Sequence, residues 1–232
     1  MAGTTVEIKT QTGSGFTGYL AVPDAKKAPG ILLIQEIFGV NSHIREVADL
    51  YAEAGYVVLA PDVFWRVQKN VELGYTGEDI QKGIELIGKC DKEQIVSDLK
   101  DAIATLKGNA QCDGKVAAVG YCLGGFVSYK LACANLVDAA VCYYGGMIEA
   151  SLAEADKIKC PVMMHFGEKD EHIPLSSVEK IQQALAGKPD VEIFVYKGAD
   201  HGFNCDQRAS YDRHSAMLAC GRSMRMLGKA LS

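Results

Sequence analysis

A cysteine at a glycine-rich turn is the first group in this sequence with clear chemical potential. Residues 120–125 read G-Y-C-L-G-G and join a predicted strand to a predicted helix. This is the G-x-C-x-G form of a nucleophile elbow, a sharp turn that small residues on both sides of the nucleophile allow. A thiolate there would lie at a helix N-terminus, where aligned N–H groups favour negative charge. We therefore predict Cys122 as a nucleophile.

An acid and a base follow Cys122 in the order that such a nucleophile requires. Asp170 comes just after a predicted strand, Val162 to Phe166, and His201 comes just after another, Val191 to Tyr196. The carboxyl ends of parallel strands meet at one edge of a sheet, so these side chains can converge with Cys122. The chain order nucleophile, acid, base predicts a catalytic triad of Cys122, Asp170 and His201.

Other ionisable residues near these positions have simpler interpretations. Glu168 and Glu171 are rival acids, but a solvated turn accounts for both. Asp200 precedes His201, and a carboxylate adjacent in sequence usually points elsewhere. The remaining histidines lack a glycine-flanked loop at a strand end, and core or surface roles suffice for them: His43, His165, His172 and His214.

A tetrahedral intermediate needs backbone N–H groups that point at its oxyanion. One normally comes from the residue after the nucleophile, here Leu123, and one from the loop after an earlier strand, here Ile37. Glu36 ends a predicted core strand, where an isolated carboxylate is costly. Such a carboxylate is expected to be functional or to form a structural salt bridge.

Short apolar runs alternate with helical patterns along the chain. Several runs are apolar without alternation, which is typical of strands buried on both faces of a parallel sheet. The predicted strands are Thr5 to Thr10, Thr17 to Val22, Gly30 to Gln35, Val57 to Ala60, Val116 to Val119, Ala139 to Tyr143, Val162 to Phe166 and Val191 to Tyr196. They predict an α/β fold with a mostly parallel central sheet, an antiparallel N-terminal edge and helices on both faces.

The helix boundaries are also marked in the sequence. Asn41 or Ser42 can cap a helix that runs to Ala54, Asp91 can cap one that runs to Leu106, and Ser177 begins another. The segment from Phe64 to Cys90 is the least regular, because four glycines interrupt a weak helical pattern: Gly74, Gly77, Gly83 and Gly88. It is expected to shape the mouth of a site.

Composition excludes several classes of protein. The 232 residues carry a net charge of −5 and no run of basic residues, which argues against nucleic acid as a partner. No secretory signal or membrane-spanning apolar run is evident, so we expect a cytoplasmic protein with reduced thiols. We expect one domain over residues 1–232, no cofactor and no metal, since the cysteines lack zinc-ligand spacing.

The same residues resemble a known family. The segments 35–39 (Q-E-I-F-G), 61–62 (P-D), 120–125, 143–145 (Y-Y-G) and 201–203 (H-G-F) are similar to dienelactone hydrolase (carboxymethylenebutenolidase). The likeness extends over nearly the whole chain and implies the α/β-hydrolase fold. It also implies a cofactor-free cytoplasmic hydrolase, a monomer or weak homodimer, that opens a small lactone or ester through an acyl-cysteine intermediate.

The resemblance also assigns individual roles. It implies Cys122, Asp170 and His201 as the catalytic residues, and Ile37 and Leu123 as the oxyanion donors. For Glu36 it implies a gating role. The Glu36 carboxylate holds the resting Cys122 thiol, and it accepts the thiol proton when substrate displaces the carboxylate.

The sequence departs from the family pattern where a substrate carboxylate is bound. Dienelactone hydrolases hold that group with two arginines, whereas here no arginine lies between Arg66 and the elbow, and Arg208 follows His201 only after seven residues. Lysine does not reproduce the bidentate contact of arginine. An apolar pocket is expected instead, and the side chains predicted to line it are Phe38, Trp65 and Phe203.

Two alternatives from other functional classes remain. One is a hydrolase of other esters or thioesters, or an acyltransferase, that uses the same acyl-cysteine. The other is a non-catalytic binding or redox-sensing protein in which Cys122 is an oxidisable thiol.

Overall fold

The computed structural model describes residues 3–11 and 13–232. The strands are β1 (Thr4–Lys9), β2 (Gly15–Ala21), β3 (Ala28–Ile34), β4 (Val57–Pro61), β5 (Cys112–Tyr121), β6 (Ala139–Tyr143), β7 (Val162–Gly167) and β8 (Val191–Tyr196). The α-helices are α1 (Ser42–Glu53), α2 (Gly77–Gly88), α3 (Lys92–Lys107), α4 (Leu123–Cys133), α5 (Leu175–Leu185) and α6 (Arg213–Ala230), with a 3₁₀ helix over Glu149–Lys157. The chain forms two compact units, one ending at Val116 and the other beginning at Ala117. A single domain over residues 1–232 stays a prediction.

The first unit holds a mixed group of strands in the order β1, β2, β4, β3. β1 pairs antiparallel with β2, and β2 pairs antiparallel with β4, whereas β3 and β4 are parallel. These pairings form the antiparallel N-terminal edge that the sequence predicted. Helices α1 and α3 pack on β3 and β4, whose interior residues are buried.

The second unit holds β5 from Ala117 onward and then β6, β7 and β8, which pair in this order as parallel strands. Every residue of β6 and β7 is buried, as the unbroken apolar runs predicted. Helix α4 packs on β6, and α6 packs on β6 and β7. The strand register places Tyr121 beside Tyr143, and Gly167 beside Tyr196. The loops that follow these strands therefore leave from the same edge.

Two predicted helix starts are confirmed by their caps. The Asn41 side chain accepts a hydrogen bond from the Ile44 N–H, so Asn41 is the cap of α1. Asp91 caps α3 in the same way. Helix α5 begins at Leu175, two residues before the predicted Ser177, because Pro174 fixes an extended backbone at its cap.

The prediction for the segment from Phe64 to Cys90 was wrong in its second half. Residues Gly77–Gly88 form a regular helix, which starts with a capping box between Thr76 and Asp79. Two of the four glycines lie at the helix ends, and Gly83 is the one in its interior. A β-carbon at Gly83 would lie 2.6 Å from the Ile37 carbonyl oxygen. Close packing of the helix on a loop, rather than a break in the helix, explains this glycine.

The alternation of strands and helices, the parallel strands and the antiparallel edge confirm the predicted α/β class. Among the helices of residues 3–11 and 13–232, none combines the length and the apolar character needed to cross a membrane.

Candidate active site

The turn that carries Cys122 has a strained backbone. Cys122 lies between β5 and α4 with φ 52° and ψ −111°, a conformation that residues with a β-carbon rarely adopt. A β-carbon at Gly120 would lie 2.0 Å from the Gly124 carbonyl oxygen, so this turn closes only with glycine at position 120. The thiol is half-buried at the N-terminus of α4. The glycines predicted to permit a sharp elbow therefore do so by close backbone contact.

Backbone contacts also hold the elbow against the end of β6. The Cys122 N–H donates to the Tyr143 carbonyl over 3.0 Å. A β-carbon at Gly125 would lie 2.5 Å from the same carbonyl oxygen. Leu123 is the first residue of α4, where an amide has no acceptor within its own helix. The N–H group predicted to bind an oxyanion thus directly follows the thiol.

Asp170 lies in the loop after β7 and is 2% exposed. Its Oδ1 accepts hydrogen bonds from the backbone N–H groups of His172, at 2.9 Å, and Ile173, at 3.1 Å. Its Oδ2 lies 2.7 Å from Nδ1 of His201. Both oxygens are therefore fixed, and the carboxylate holds the imidazole in one orientation.

The loop after β8 presents His201. Its backbone N–H donates to the Asp200 side chain over 2.6 Å, so this neighbouring carboxylate is turned to the backbone, as expected. Glu168 accepts a hydrogen bond from the Gly198 N–H over 2.8 Å, and Glu171 is exposed. Each rival acid therefore has the simpler position that the sequence indicated, while Asp170 contacts His201.

His201 also forms a hydrogen bond with the Cys122 side chain. Burial lowers the pKa of His201, but the charge of the Cys122 thiolate and the hydrogen bonds to Asp170 and Cys122 together raise it to about 10. When Cys122 is a thiolate, the His201 imidazolium beside it therefore keeps its proton at neutral pH. Such an arrangement can supply a nucleophile and a proton donor at the same time.

Two aromatic neighbours of His201 were not predicted from the sequence. The Tyr144 ring centroid lies 5.1 Å from that of His201, and the His172 ring meets His201 edge to face, also at 5.1 Å. Tyr144 has φ 36°, and its N–H donates to the His165 carbonyl over 2.7 Å. The signal for Tyr144 was its position directly after a strand end and before Gly145. His172 had no signal beyond its nearness to Asp170 in sequence.

The other predicted pocket residues have mixed positions. Phe203 has no exposed surface and packs between Tyr144 and Tyr196, which does not favour a role in lining a pocket. In the first unit, Phe38 is buried and meets Tyr75 edge to face. The roles of Phe38 and Phe203 stay predictions.

Trp65, the third predicted pocket residue, has partners within the first unit. Its ring stacks on Phe16 at 5.1 Å, and its Nε1 donates to Asp98 over 2.8 Å. Arg66 lies over the indole and forms a salt bridge with the same Asp98. These contacts explain the position of Trp65 without a substrate, and its pocket role also stays a prediction.

The loop after β3 carries Glu36 and Ile37. Glu36 is 1% exposed, so its carboxylate is buried as predicted for the end of a core strand. The loop is held on one side by α2, where Gly83 approaches the Ile37 carbonyl, and on another by a hydrogen bond from the Leu73 N–H to the Phe38 carbonyl, 2.9 Å. Two contacts from the segment before the elbow thus fix the backbone around Ile37.

Arg208 lies close to the loop of His201. A β-carbon at Gly202, which has φ 79°, would lie 2.4 Å from Nη1 of Arg208. The Arg208 guanidinium therefore lies next to Gly202, although Arg208 follows His201 by seven positions in the sequence.

His165 is at the centre of a buried polar network in the second unit. The Ser223 hydroxyl donates to the Ala219 carbonyl, so it must accept from Nε2 of His165, at 2.9 Å. Nδ1 then accepts from the Tyr196 hydroxyl, also at 2.9 Å, and the Tyr143 hydroxyl donates to Ser223. His165 is therefore a neutral core histidine with both ring nitrogens satisfied, in agreement with the core role inferred for it.

This burial makes stability depend on pH. Burial, and to a smaller extent the charge of Arg222, lower the pKa of His165 from 6.5 to about 3. The contribution of neutral His165 is fully present above pH 6.5 and is lost as the pH falls from 6.5 towards 3. We expect the loss of this contribution to lower the free energy of unfolding by about 2 kcal/mol between pH 7 and pH 5. Urea unfolding of the wild type and of His165→Gln at pH 7 and at pH 5 measures this loss of stability.

The matched control for this experiment is His214→Gln, since His214 is exposed. His165→Gln should be less stable than the wild type at pH 7 but should lose less stability on acidification. An equal loss in His165→Gln and the wild type would show that His165 does not titrate as proposed.

Comparison with known proteins agrees with this geometry. Residues 16–231 match the model of the dienelactone hydrolase family. A Synechocystis sp. protein assigned as a carboxymethylenebutenolidase is 40% identical over 231 residues, covering 91% of this chain and 93% of its own length. Carboxymethylenebutenolidase 1 of Cupriavidus pinatubonensis is 30% identical over 223 residues, covering 96% of this chain and 95% of its own.

Solved structures give the same result. A crystal structure from Klebsiella pneumoniae subsp. pneumoniae, assigned as a dienelactone hydrolase, superposes with a TM-score of 0.87 at 30% identity. The alignment covers 99% of this chain and all of the other. The fold is thus the predicted α/β-hydrolase fold, and the chain belongs to the dienelactone hydrolase family, whose members hydrolyse ester and lactone bonds.

Proposed function

We propose that this hydrolase opens a small lactone or ester through an acyl intermediate on Cys122. The observation that carries the proposal is the position of His201, which bonds to the Cys122 side chain and lies 2.7 Å from Asp170. A redox-sensing thiol needs neither a fixed imidazole nor a buried carboxylate behind it. These partners therefore support catalysis over the sensing alternative.

In acylation, the Cys122 thiolate attacks the carbonyl carbon, and the carbonyl electron pair moves to oxygen. The backbone N–H groups of Leu123 and Ile37 are the proposed donors to this oxyanion. As the intermediate collapses, the bond from carbon to the leaving oxygen breaks, and the His201 imidazolium gives its proton to that oxygen. Asp170 stabilises the His201 imidazolium, and it also fixes the tautomer of the neutral imidazole that remains after the proton has left. The product is an acyl-cysteine and neutral His201.

In deacylation, neutral His201 takes a proton from water, whose oxygen attacks the acyl carbon. The second tetrahedral intermediate then expels the Cys122 thiolate and releases the acid. His201 ends as an imidazolium beside the Cys122 thiolate, which is the state from which acylation began.

The proposal includes the surroundings that the family resemblance implies. We propose a single catalytic domain, active in the cytoplasm as a monomer or weak homodimer, on small neutral esters or lactones. Lysines do not bind a carboxylate in the bidentate manner of arginine, so dienelactone itself is expected to be a poorer substrate than a neutral lactone.

Glu36 is the proposed gate of the thiol. Its carboxylate is buried directly after β3, where an isolated charge is costly. A carboxylate near a thiol opposes its ionisation, and one that is displaced by substrate can accept the thiol proton. The reactive thiolate would then form only when substrate is bound, and Glu36 would return the proton to the Cys122 thiolate once the product has left.

Glu36→Gln should therefore change the enzyme in two ways. Without a carboxylate to accept the proton, kcat should fall by about 10² to 10⁴, the usual contribution of a general base. The pH dependence of Cys122 alkylation by iodoacetamide should also move to lower pH, because the opposing charge is gone. If both quantities equal those of the wild type, Glu36 does not act on the thiol.

The function itself is tested with a panel of p-nitrophenyl acetate, neutral lactones and dienelactone. Mass spectrometry of the quenched enzyme should find the acyl group on Cys122. Turnover without an adduct on Cys122 would contradict the cysteine mechanism while leaving the ester hydrolase activity intact. Adding an alcohol or a thiol to the same reactions reveals an acyltransferase, because an ester or thioester product would replace the acid.

A further inference from the structure

His201 contacts a second histidine, which has no part in the acylation and deacylation steps described above. The ring of His172 meets the ring of His201 edge to face, with the two centroids 5.1 Å apart and the two planes at 78°. We propose that His172 is a positioning residue, a role that rests on the proposed function. Its ring holds the His201 imidazole in the orientation from which the imidazolium protonates the leaving oxygen.

The hydrogen bond to Asp170 does not by itself fix the His201 ring. It holds one ring atom, Nδ1, at 2.7 Å from the Asp170 carboxylate. A ring held at one atom can still pivot, because the last torsion of a histidine side chain is broad. Such a movement displaces Nε2, the nitrogen that exchanges protons with the substrate in this mechanism. Contacts with the rest of the ring are therefore needed in addition to the hydrogen bond.

Tyr144 and His172 supply these contacts from the protein interior and from the surface. Tyr144 has no exposed surface, and its ring centroid lies 5.1 Å from that of His201. His172 is exposed, whereas His201 is only 8% exposed. The His172 ring therefore covers His201 on the side of the solvent, where it limits the movement of the imidazole and shields it from water.

The backbone gives the His172 side chain a rigid base. The N–H groups of His172 and Ile173 both donate to Oδ1 of Asp170, over 2.9 and 3.1 Å. Ile173 is buried, and Pro174 follows it. The turn that fixes the Asp170 carboxylate thus also fixes the point from which the His172 side chain extends. A side chain on a rigid base can hold its neighbour in place.

Two further backbone contacts hold this turn against the loop of His201. The Lys169 N–H donates to the Ala199 carbonyl over 2.8 Å. A β-carbon at Gly167 would lie 2.5 Å from the same carbonyl oxygen, so the two loops are in close contact where they leave β7 and β8. The main chain therefore sets the distance between the two histidine rings, as a positioning role requires.

The first arm of the test compares two acetate esters by kcat/KM, which reports acylation. Ethyl acetate releases an alkoxide that needs the proton of His201, whereas p-nitrophenyl acetate releases a stable phenolate that does not. His172→Ala should lower kcat/KM about 10-fold for ethyl acetate, a part of the usual contribution of a general acid, and less than about 3-fold for p-nitrophenyl acetate. A merely structural role would lower both values equally.

Two variants serve as controls. His172→Phe restores an aromatic ring without an ionisable group, and both values should stay within about 3-fold of the wild type. His214→Ala removes an exposed histidine from α6 and should change neither value. An equal loss for the two esters in His172→Ala, or no loss, would overturn the proposal. A loss in His172→Phe as large as that in His172→Ala would also overturn it, because the role would then belong to the imidazole and not to ring packing.

The second arm needs no turnover and separates this inference from the proposed function. It uses Cys122→Ala with ¹⁵N-labelled histidine, and NMR follows the exchange with water of the His201 Nδ1 proton that faces Asp170. Adding His172→Ala should accelerate this exchange at least about 10-fold, whereas adding His172→Phe should not. This result, for a chain whose wild type hydrolyses no ester, would refute the proposed function but keep the hold of His172 on His201. Ester turnover with equal exchange rates in the three variants would refute the positioning role and keep the function.

Discussion

Replacing Cys122 with alanine should lower kcat for ester hydrolysis by at least about 10⁴-fold, because Cys122 is the proposed nucleophile that forms the acyl intermediate. The residual rate would come from substrate binding and from the oxyanion donors, which the substitution leaves in place. Hydrolysis of p-nitrophenyl acetate measures the loss, and intact-mass spectrometry should find no acyl adduct.

A matched control is available in the same unit. Cys220 is an exposed cysteine on α6, so Cys220→Ala removes a thiol without touching the elbow. This variant should keep wild-type kcat and should still form one adduct. Activity of Cys122→Ala within 10-fold of the wild type would remove Cys122 from the mechanism.

The second large effect is expected at Asp170. Its Oδ1 accepts two backbone hydrogen bonds, from His172 and Ile173, so an asparagine at this position must keep its oxygen on that side. The amide NH₂ would then face Nδ1 of His201. Since two donors cannot pair, Nδ1 would become the acceptor and Nε2 would carry the proton. Neutral His201 could no longer accept a proton from water, and kcat should fall by about 10³ to 10⁴ for Asp170→Asn.

The same variant should change the titration of His201. The hydrogen bond and charge of Asp170 help to raise the pKa of His201 to about 10, so removing the charge should lower the pH at which the imidazolium loses its proton. ¹⁵N NMR of labelled histidine should find that His201 loses its proton at a lower pH in Asp170→Asn than in the wild type. Asp200→Asn is the control, because Asp200 bonds to the backbone of the same residue. Identical His201 titrations in Asp170→Asn and the wild type would exclude this electrostatic role.

The convergence of Asp170 and His201 at strand ends could be predicted from the sequence, but the detailed geometry of their contacts could not. Asp170 and His201 each follow a run of apolar residues, and the carboxyl ends of parallel strands share an edge whatever the details of packing. The two amides that fix Asp170 depend on the turn at His172 and Ile173, which carries no periodic signal. The contact of His172 with His201 is invisible in sequence for the same reason.

Glycine was the least reliable guide to local structure. At position 120 it was correctly interpreted as a requirement of a tight turn. At position 83 it was interpreted as a helix interruption, yet α2 runs through it, because its lack of a side chain serves contact with the Ile37 carbonyl. Local propensity favours a break at both positions. Only the long-range neighbour distinguishes them, and a single sequence does not identify that neighbour.

The elbow is built almost wholly from main-chain atoms. Its shape depends on the contact of Gly120 with the Gly124 carbonyl and on the Tyr143 carbonyl that receives the Cys122 N–H, and none of these involves the thiol. The scaffold therefore does not dictate which nucleophile it carries. A single nucleotide change converts cysteine to serine, and the loop would accept the hydroxyl without rearrangement. The backbone of the elbow is therefore compatible with either a thiol or a hydroxyl nucleophile at this position.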